Sequence, residues 1–165
     1  MKKSKIRSLG EIAKIAKRAK DKGLKVVTTN GCFDLIHIGH IRNLERAKSL
    51  GDVLIVGINS DSSVRKLKGK NRPIVTAKER AEVIRSLSSV DYVFIFGDLT
   101  LTRWLAKVKP NIHVKGGDRK IHEIAERHIL EKIGAKLIFL PIIKGRSTST
   151  LIEKIKNAVK NAPVS

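Results

Sequence analysis

The sequence predicts an α/β fold: a single Rossmann-like, doubly wound parallel sheet of about five strands. Three observations predict it. Short apolar runs such as Val53 to Ile58 and Tyr92 to Phe96 are bounded by turn residues, as strands buried on both faces require. Between them lie segments with helical spacing and helix caps. The two kinds of segment alternate, which is the order of strands joined by crossover helices. At 165 residues the chain fits one domain, able to bury roughly two-thirds of the surface it exposes when unfolded.

Each element has a local cause. Ser8 with Glu11 makes a capping box ahead of a helix running to about Lys22, and Gly23 supplies the stop. Val26 and Val27 open the first strand, and an amphipathic helix follows from about Ile41 to Leu50. Val53 to Ile58 is the second strand, and Asp61 after it reads as a helix cap. A basic, glycine-containing loop covers Lys66 to Pro73. Thr76 and Glu79 form another capping box, opening a helix to about Leu87. Tyr92 to Phe96 is the third strand, and a helix around Leu101 to Val108 stops before Pro110. Ile112 to Val114 is the fourth strand, running into Lys115-Gly116-Gly117-Asp118. A helix from about Ile121 to Ile133 ends at Gly134, Lys136 to Leu140 is the fifth strand, and the last helix begins near Ser149. There is no internal repeat, linker or low-complexity segment, so the chain reads as one domain over 1–165, with a basic arm and helix over 1–24 and a core over 25–157.

Composition narrows the function. The formal net charge is +20, and residues 1 to 25 hold much of the excess, with only Glu11 and Asp21 to offset their lysines and arginines. Aromatic residues make up 4% of the chain, too few to stack on bases as single-strand binders do, so a lysine-rich solvated surface is preferred to nucleic-acid binding. Such a field also steers phosphorylated substrates. Cys32 is the single cysteine, so neither an intrachain disulfide nor a cysteine-based zinc site is expected. No apolar run approaches the roughly 20 residues of a membrane span, and the basic N-terminus does not read as a signal peptide; the expectation is a cytoplasmic protein.

The most informative stretch runs from Thr28 to His40, Thr-Thr-Asn-Gly-Cys-Phe-Asp-Leu-Ile-His-Ile-Gly-His. It lies on a strand-to-helix turn, where backbone N–H groups and the positive end of the helix dipole face the crevice that binds phosphates. His37 and His40 are three residues apart across Gly39, so both imidazoles point the same way and can donate to charge developing on phosphoryl oxygens. Gly39 lets a nucleotide lie against the backbone between them. Further candidates sit near other strand ends. Lys68 and Arg72 in the basic loop could close over phosphates or an anionic second substrate, as could Arg80 on the next helix. Lys115 could reach phosphate and Asp118 a sugar hydroxyl, with Gly116 and Gly117 bringing the backbone close. Gly145-Arg146-Ser147-Thr148-Ser149-Thr150 places hydroxyls at a helix N-terminus, suited first to capping and then to a triphosphate.

Gly-x-Phe-Asp-x-x-His-x-Gly-His resembles the signature of the cytidylyltransferase-like nucleotidyltransferases, which share the His-x-Gly-His element with class I aminoacyl-tRNA synthetases. Over residues 25 to 157 the chain resembles the adenylyltransferases that couple ATP to a heptose 1-phosphate, through Thr29 to Asp34, Val56 to Asp61, Leu67-Lys68-Gly69, Arg72-Pro73, Val114 to Asp118 and Ser147-Thr148. Arg146 departs from the related pattern, because the arginine here follows the glycine. The resemblance implies catalytic roles for His37, His40 and Lys68. It also implies nucleotide contacts from Asn30, Gly31, Cys32, Phe33, Asp34 and Gly39, and from Lys115, Gly116, Asp118, Ser147 and Thr148. Second-substrate contacts would come from Lys68, Arg72 and Arg80. It implies in-line attack by a substrate phosphate on the α-phosphorus of ATP, with Mg²⁺ carried mainly by the triphosphate and no protein metal cage. The product would be ADP-heptose for lipopolysaccharide core synthesis. In many relatives this domain follows a sugar kinase; here the expectation is a stand-alone form, with room for a homo-oligomer. A cytidylyltransferase acting on glycerol 3-phosphate, an FMN adenylyltransferase and a basic nucleic-acid binder are the alternatives.

Overall fold

The computed structural model describes residues 5–97, 101–117, 124–141, 145 and 147–161. Along the chain the elements are α1 (Leu9–Asp21), β1 (Val26–Gly31), α2 (Ile38–Lys48), β2 (Val53–Asn59), α3 (Asp61–Lys68), α4 (Ala77–Ser86), β3 (Tyr92–Phe96), α5 (Thr102–Val108), β4 (Ile112–Gly116), α6 (Arg127–Lys132), β5 (Lys136–Leu140) and α7 (Thr148–Lys160). The strands form one sheet in the order β3-β2-β1-β4-β5, and every pairing is parallel. The chain thus winds outward from β1 in one direction and then, through β4, in the other. That reversal opens a crevice beside the carboxyl ends of β1 and β4.

Helices cover both faces, and each face has its own apolar cluster. One joins Leu44 and Ala47 of α2 and Ala81 and Ile84 of α4 to Val27, Val56 and Val114 of the sheet. The other joins Ile12 and Ala16 of α1, Trp104 and Leu105 of α5 and Leu130 of α6 to Val26, Ile55 and Phe94. Burial on both sides explains why the strands read as unbroken apolar runs rather than alternating ones.

Both capping boxes form as the sequence predicts. The Ser8 hydroxyl accepts from Glu11 N while Glu11 accepts from Ser8 N, and Thr76 and Glu79 repeat the arrangement. Elsewhere the boundaries differ for local reasons. The second helix starts at Ile38 rather than Ile41, because His37 caps it. Lys66 to Lys68, expected in a loop, complete α3, whose cap is Ser60 rather than Asp61. The fourth strand runs to Gly116, held by β5 beside it. α6 begins at Arg127, with 121–123 outside the described residues.

The basic arm is less of an appendage than its charge suggests. Ile6 bridges to Val93, and the Lys5 ammonium donates to Val90 O at 2.6 Å and Leu87 O at 3.3 Å, so the segment entering α1 is pinned to the β3 edge. Among the described residues no helix is long and apolar enough to cross a membrane.

Candidate active site

A cleft of about 490 Å³ occupies the crevice at the ends of β1 and β4, within the usual range for small-molecule sites. Its floor is the end of β1 and the turn that follows, from Asn30 to Asp34. Phe33 has φ 49°, in the left-handed region that costs a non-glycine residue on the order of 1 kcal/mol. The tertiary structure holds it there: the ring lies 5.3 Å from that of His40 and against Gly31, where a Cβ would stand 3.0 Å from the ring. The turn thus needs glycine at 31 so that Phe33 can fold back over it.

His37 and His40 stand at the amino end of α2 and line this cleft. Their rings are 3.9 Å apart between centroids and 30° from parallel. The His37 Nδ1 accepts from Gly39 N at 3.1 Å, and the His40 Nδ1 accepts from His37 N at 3.4 Å. An imidazole that accepts through Nδ1 carries its proton on Nε2 when neutral. Capping therefore selects the tautomer that makes Nε2–H the donor. Burial, with His37 beside it, lowers the His40 pKa to about 4, so at neutral pH this ring is an uncharged donor.

Lys68, at the end of α3, and Arg72 form the basic wall of the cleft. Arg72 Nε donates to the buried Asp34 carboxylate at 2.5 Å, and Asp34 also accepts from Ile74 N at 2.8 Å and Val75 N at 2.9 Å. Burial opposes ionisation of Asp34. The Val75 amide, Arg72 and the Ile74 amide outweigh it and hold the carboxyl below its ordinary value. Asp34 therefore ties the basic loop to the turn after β1 as well as lining the cleft. At the far side stands the amino end of α7, where the Ser147 hydroxyl accepts from Thr150 N at 3.1 Å and Thr148 Oγ1 donates to Leu35 O at 3.3 Å. Cys32 is half-buried in the floor; burial raises its pKa against the opposing pull of Lys68, Arg80 and Arg72, which leaves a thiol rather than a thiolate nucleophile.

Two sequence-predicted contacts fall elsewhere. Arg80 is 1% exposed and does not line the cleft. Its guanidinium donates to Cys32 O, to Val75 O at 2.9 Å, to Asn59 O at 2.8 Å and to Asp61 Oδ1 at 2.7 Å. It locks the ends of β1 and β2 to the start of α3 and α4, a positioning role in place of the expected substrate contact. Lys115 sits between Val114 and Gly116, which line the cleft, so strand alternation turns it to the opposite face. There it meets Glu126 at 3.4 Å. Gly116 stays at the cleft. Asp118 and Arg146 lie outside the described residues. Sequence reasoning missed Asn43, a cleft residue three positions after His40; helical spacing from the histidine pair is the signal that points to it.

Residues 28–164 match the model of the family described as cytidylyltransferase-like. A bifunctional protein HldE from Citrifermentans bemidjiense is 44% identical over 152 residues, covering 92% of this chain and 31% of the relative. One from Aliarcobacter butzleri is 43% identical over 157 residues, covering 95% and 32%. This chain therefore spans about a third of the length of the curated relatives it matches. Among solved structures, the lipopolysaccharide core biosynthesis protein from Thermoplasma volcanium is 31% identical with a TM-score of 0.63, covering 75% of this chain and all of that one.

Proposed function

This chain belongs to the cytidylyltransferase-like family, and from that premise we propose that it is a nucleotidyltransferase that moves AMP from ATP to a heptose 1-phosphate and releases pyrophosphate. One observation carries the reading. The histidine pair caps α2 through Nδ1, and so leaves Nε2–H as the donor in a switch-point cleft that Lys68 and Arg72 also line.

In this reading an oxygen of the sugar phosphate attacks the α-phosphorus in line, a new P–O bond forms, and the bond to the β-phosphate oxygen breaks. The attacking phosphate is already ionised, so no general base is needed. Catalysis is positioning and charge stabilisation. His37 and His40 donate to the α-phosphoryl oxygens, and the α2 amino end adds its dipole. Lys68 and Arg72 hold the β- and γ-phosphates or the phosphate of the second substrate. Ser147 and Thr148 close the cleft from the α7 side.

Magnesium fits as a companion of the triphosphate. Among the described residues no group of three or more His, Cys, Asp or Glu side chains could hold a metal, and the Asp34 carboxylate is engaged by Arg72 and two backbone amides. When bound, Mg²⁺ would neutralise charge on the departing pyrophosphate.

Support for the heptose substrate comes from the similarity to the HldE proteins and to the lipopolysaccharide core biosynthesis protein. The test is a pyrophosphate-release screen crossing ATP, CTP, GTP and UTP with heptose 1-phosphate, glycerol 3-phosphate and FMN. ATP with heptose 1-phosphate should give the highest kcat/KM. Preference for CTP with glycerol 3-phosphate would replace this reading with the polyol one, and binding of polynucleotide without turnover would end it.

A further inference from the structure

Building on the nucleotidyltransferase reading, we propose that the Asn43 carboxamide binds a ribose hydroxyl of the nucleoside triphosphate and makes the site selective for ribonucleotides. Asn43 lines the cleft, and its Oδ1 is buried with no hydrogen-bond partner among the described residues. In the cleft floor Asn30 Oδ1 is in the same condition. A buried carbonyl oxygen without a donor is costly to maintain, so two in the lining of one cleft mark places where a ligand supplies the donor.

Position says which part of the ligand. His37, which caps α2, and His40 and Asn43 in its first two turns all line the cleft. Asn43 stands three residues, roughly 4.5 Å of helix rise, further along α2 than His40. If the α-phosphate lies against the histidines, the group joined to it through O5′ is the ribose. A carboxamide presents an acceptor and two donors, and a ribose hydroxyl is both donor and acceptor, so the two groups satisfy each other.

Gly116 completes the arrangement beside the carboxamide. A Cβ built there would lie 3.3 Å from Asn43 Nδ2, tighter than an amide tolerates without shifting. Glycine at this strand end leaves the carboxamide room to turn towards a ligand. Apolar neighbours in the same cleft, Leu44, Val114 and Leu140, limit competition from water.

The test compares dissociation constants for the Mg²⁺ complexes of ATP, 2′-deoxyATP, 3′-deoxyATP and tripolyphosphate, by titration calorimetry, in wild type, Asn43→Ala and the milder Asn43→Ser. Wild type should bind ATP about 5- to 20-fold more tightly than one of the two deoxy analogues. Both variants should shrink that preference to within about twofold and leave tripolyphosphate binding unchanged. Gly116→Ala, which keeps the Asn43 carboxamide but crowds it, should weaken ATP binding and spare tripolyphosphate. The proposal is overturned if folded variants keep the full preference, if tripolyphosphate binding falls equally, or if only the ATP-to-CTP ratio or the KM of the sugar phosphate changes. A wild type that binds no nucleoside triphosphate would instead refute the nucleotidyltransferase reading on which the proposal rests.

Discussion

Replacing Arg80 tests the difference between a positioning role and substrate contact. The guanidinium is buried and donates to three backbone carbonyls, of Cys32, Asn59 and Val75, and to the Asp61 carboxylate. Arg80→Ala leaves those carbonyls without a donor and the carboxylate without its cation. Removing one member of a buried ion pair costs about 3 to 5 kcal/mol. The Asp61 side chain is 33% exposed, so water softens that part of the loss and the lower half of the range applies. At about 2 to 4 °C per kcal/mol for a chain of this size, Tm should fall by about 6 to 16 °C. Arg80→Lys keeps a cation but cannot span four acceptors on three segments, so it should recover less than half of the loss. The assay is urea denaturation with kinetics on the folded fraction. Both variants should lose stability, and kcat should fall more than the KM of the sugar phosphate rises, because the Cys32 turn is what shifts. Unchanged stability with a tenfold rise in that KM would refute the reasoning and return Arg80 to the substrate.

Three further outcomes follow from the geometry. His40→Ala should lower kcat about 100-fold or more, the scale for one lost preorganised donor, and because burial and His37 lower the His40 pKa to about 4 in the ligand-free protein, the wild-type kcat/KM should show no step from its ionisation between pH 6 and 8. Lys115→Ala should change kcat/KM less than about threefold in the pyrophosphate-release assay, since its ammonium faces Glu126 rather than the cleft; a tenfold loss would restore the phosphate contact. His113 is fully buried, shares a hydrogen bond between its Nδ1 and Thr28 Oγ1 at 2.9 Å, and is held to a pKa of about 3 by burial and by nearby Lys115. The unfolded chain takes up that proton near pH 6.5 and the folded chain does not, so stability is lost as pH falls below 6.5, by about 1.4 kcal/mol per unit for this group. His40, also depressed, acts in the same direction. Denaturation midpoints between pH 6.5 and 5 should therefore fall less in His113→Gln than in wild type.

The strands and most helices were legible because their signals are local. An apolar run bounded by turn residues needs no knowledge of its neighbours, and β3 and β5 fall where the sequence puts them. The capping boxes of α1 and α4 are legible for the same reason. α3 was only half legible, since Asp61 reads as a helix cap while Lys66 to Lys68 belong to a basic, glycine-containing stretch that reads as a loop. What makes it helical is tertiary: Val64 is buried, and Asn59 Nδ2 donates to Ser63 Oγ at 3.0 Å. At the site, the turn and histidine pair were legible as a motif, whereas the destinations of long basic side chains were not. Lys115 and Arg80 both looked like phosphate ligands, and only strand alternation in one case and a set of backbone carbonyls in the other reassigned them.

The basic residues near this cleft therefore divide by what their charge meets. Arg80 and Arg72 both act on the loop from Arg72 to Thr76, one through the Val75 carbonyl and the other through Asp34, which also holds the Ile74 and Val75 amides. This loop carries Arg72 into the cleft beside Lys68. A cationic wall facing polyphosphate would repel itself if it were held by cations alone. Asp34 resolves that: one buried carboxylate, kept ionised by two amides and one guanidinium, fixes the wall to the turn that carries the histidine pair. The aspartate of the motif thus joins the turn after β1 to the basic loop, and through Arg72 and the Ile74 and Val75 amides it holds that loop at the cleft.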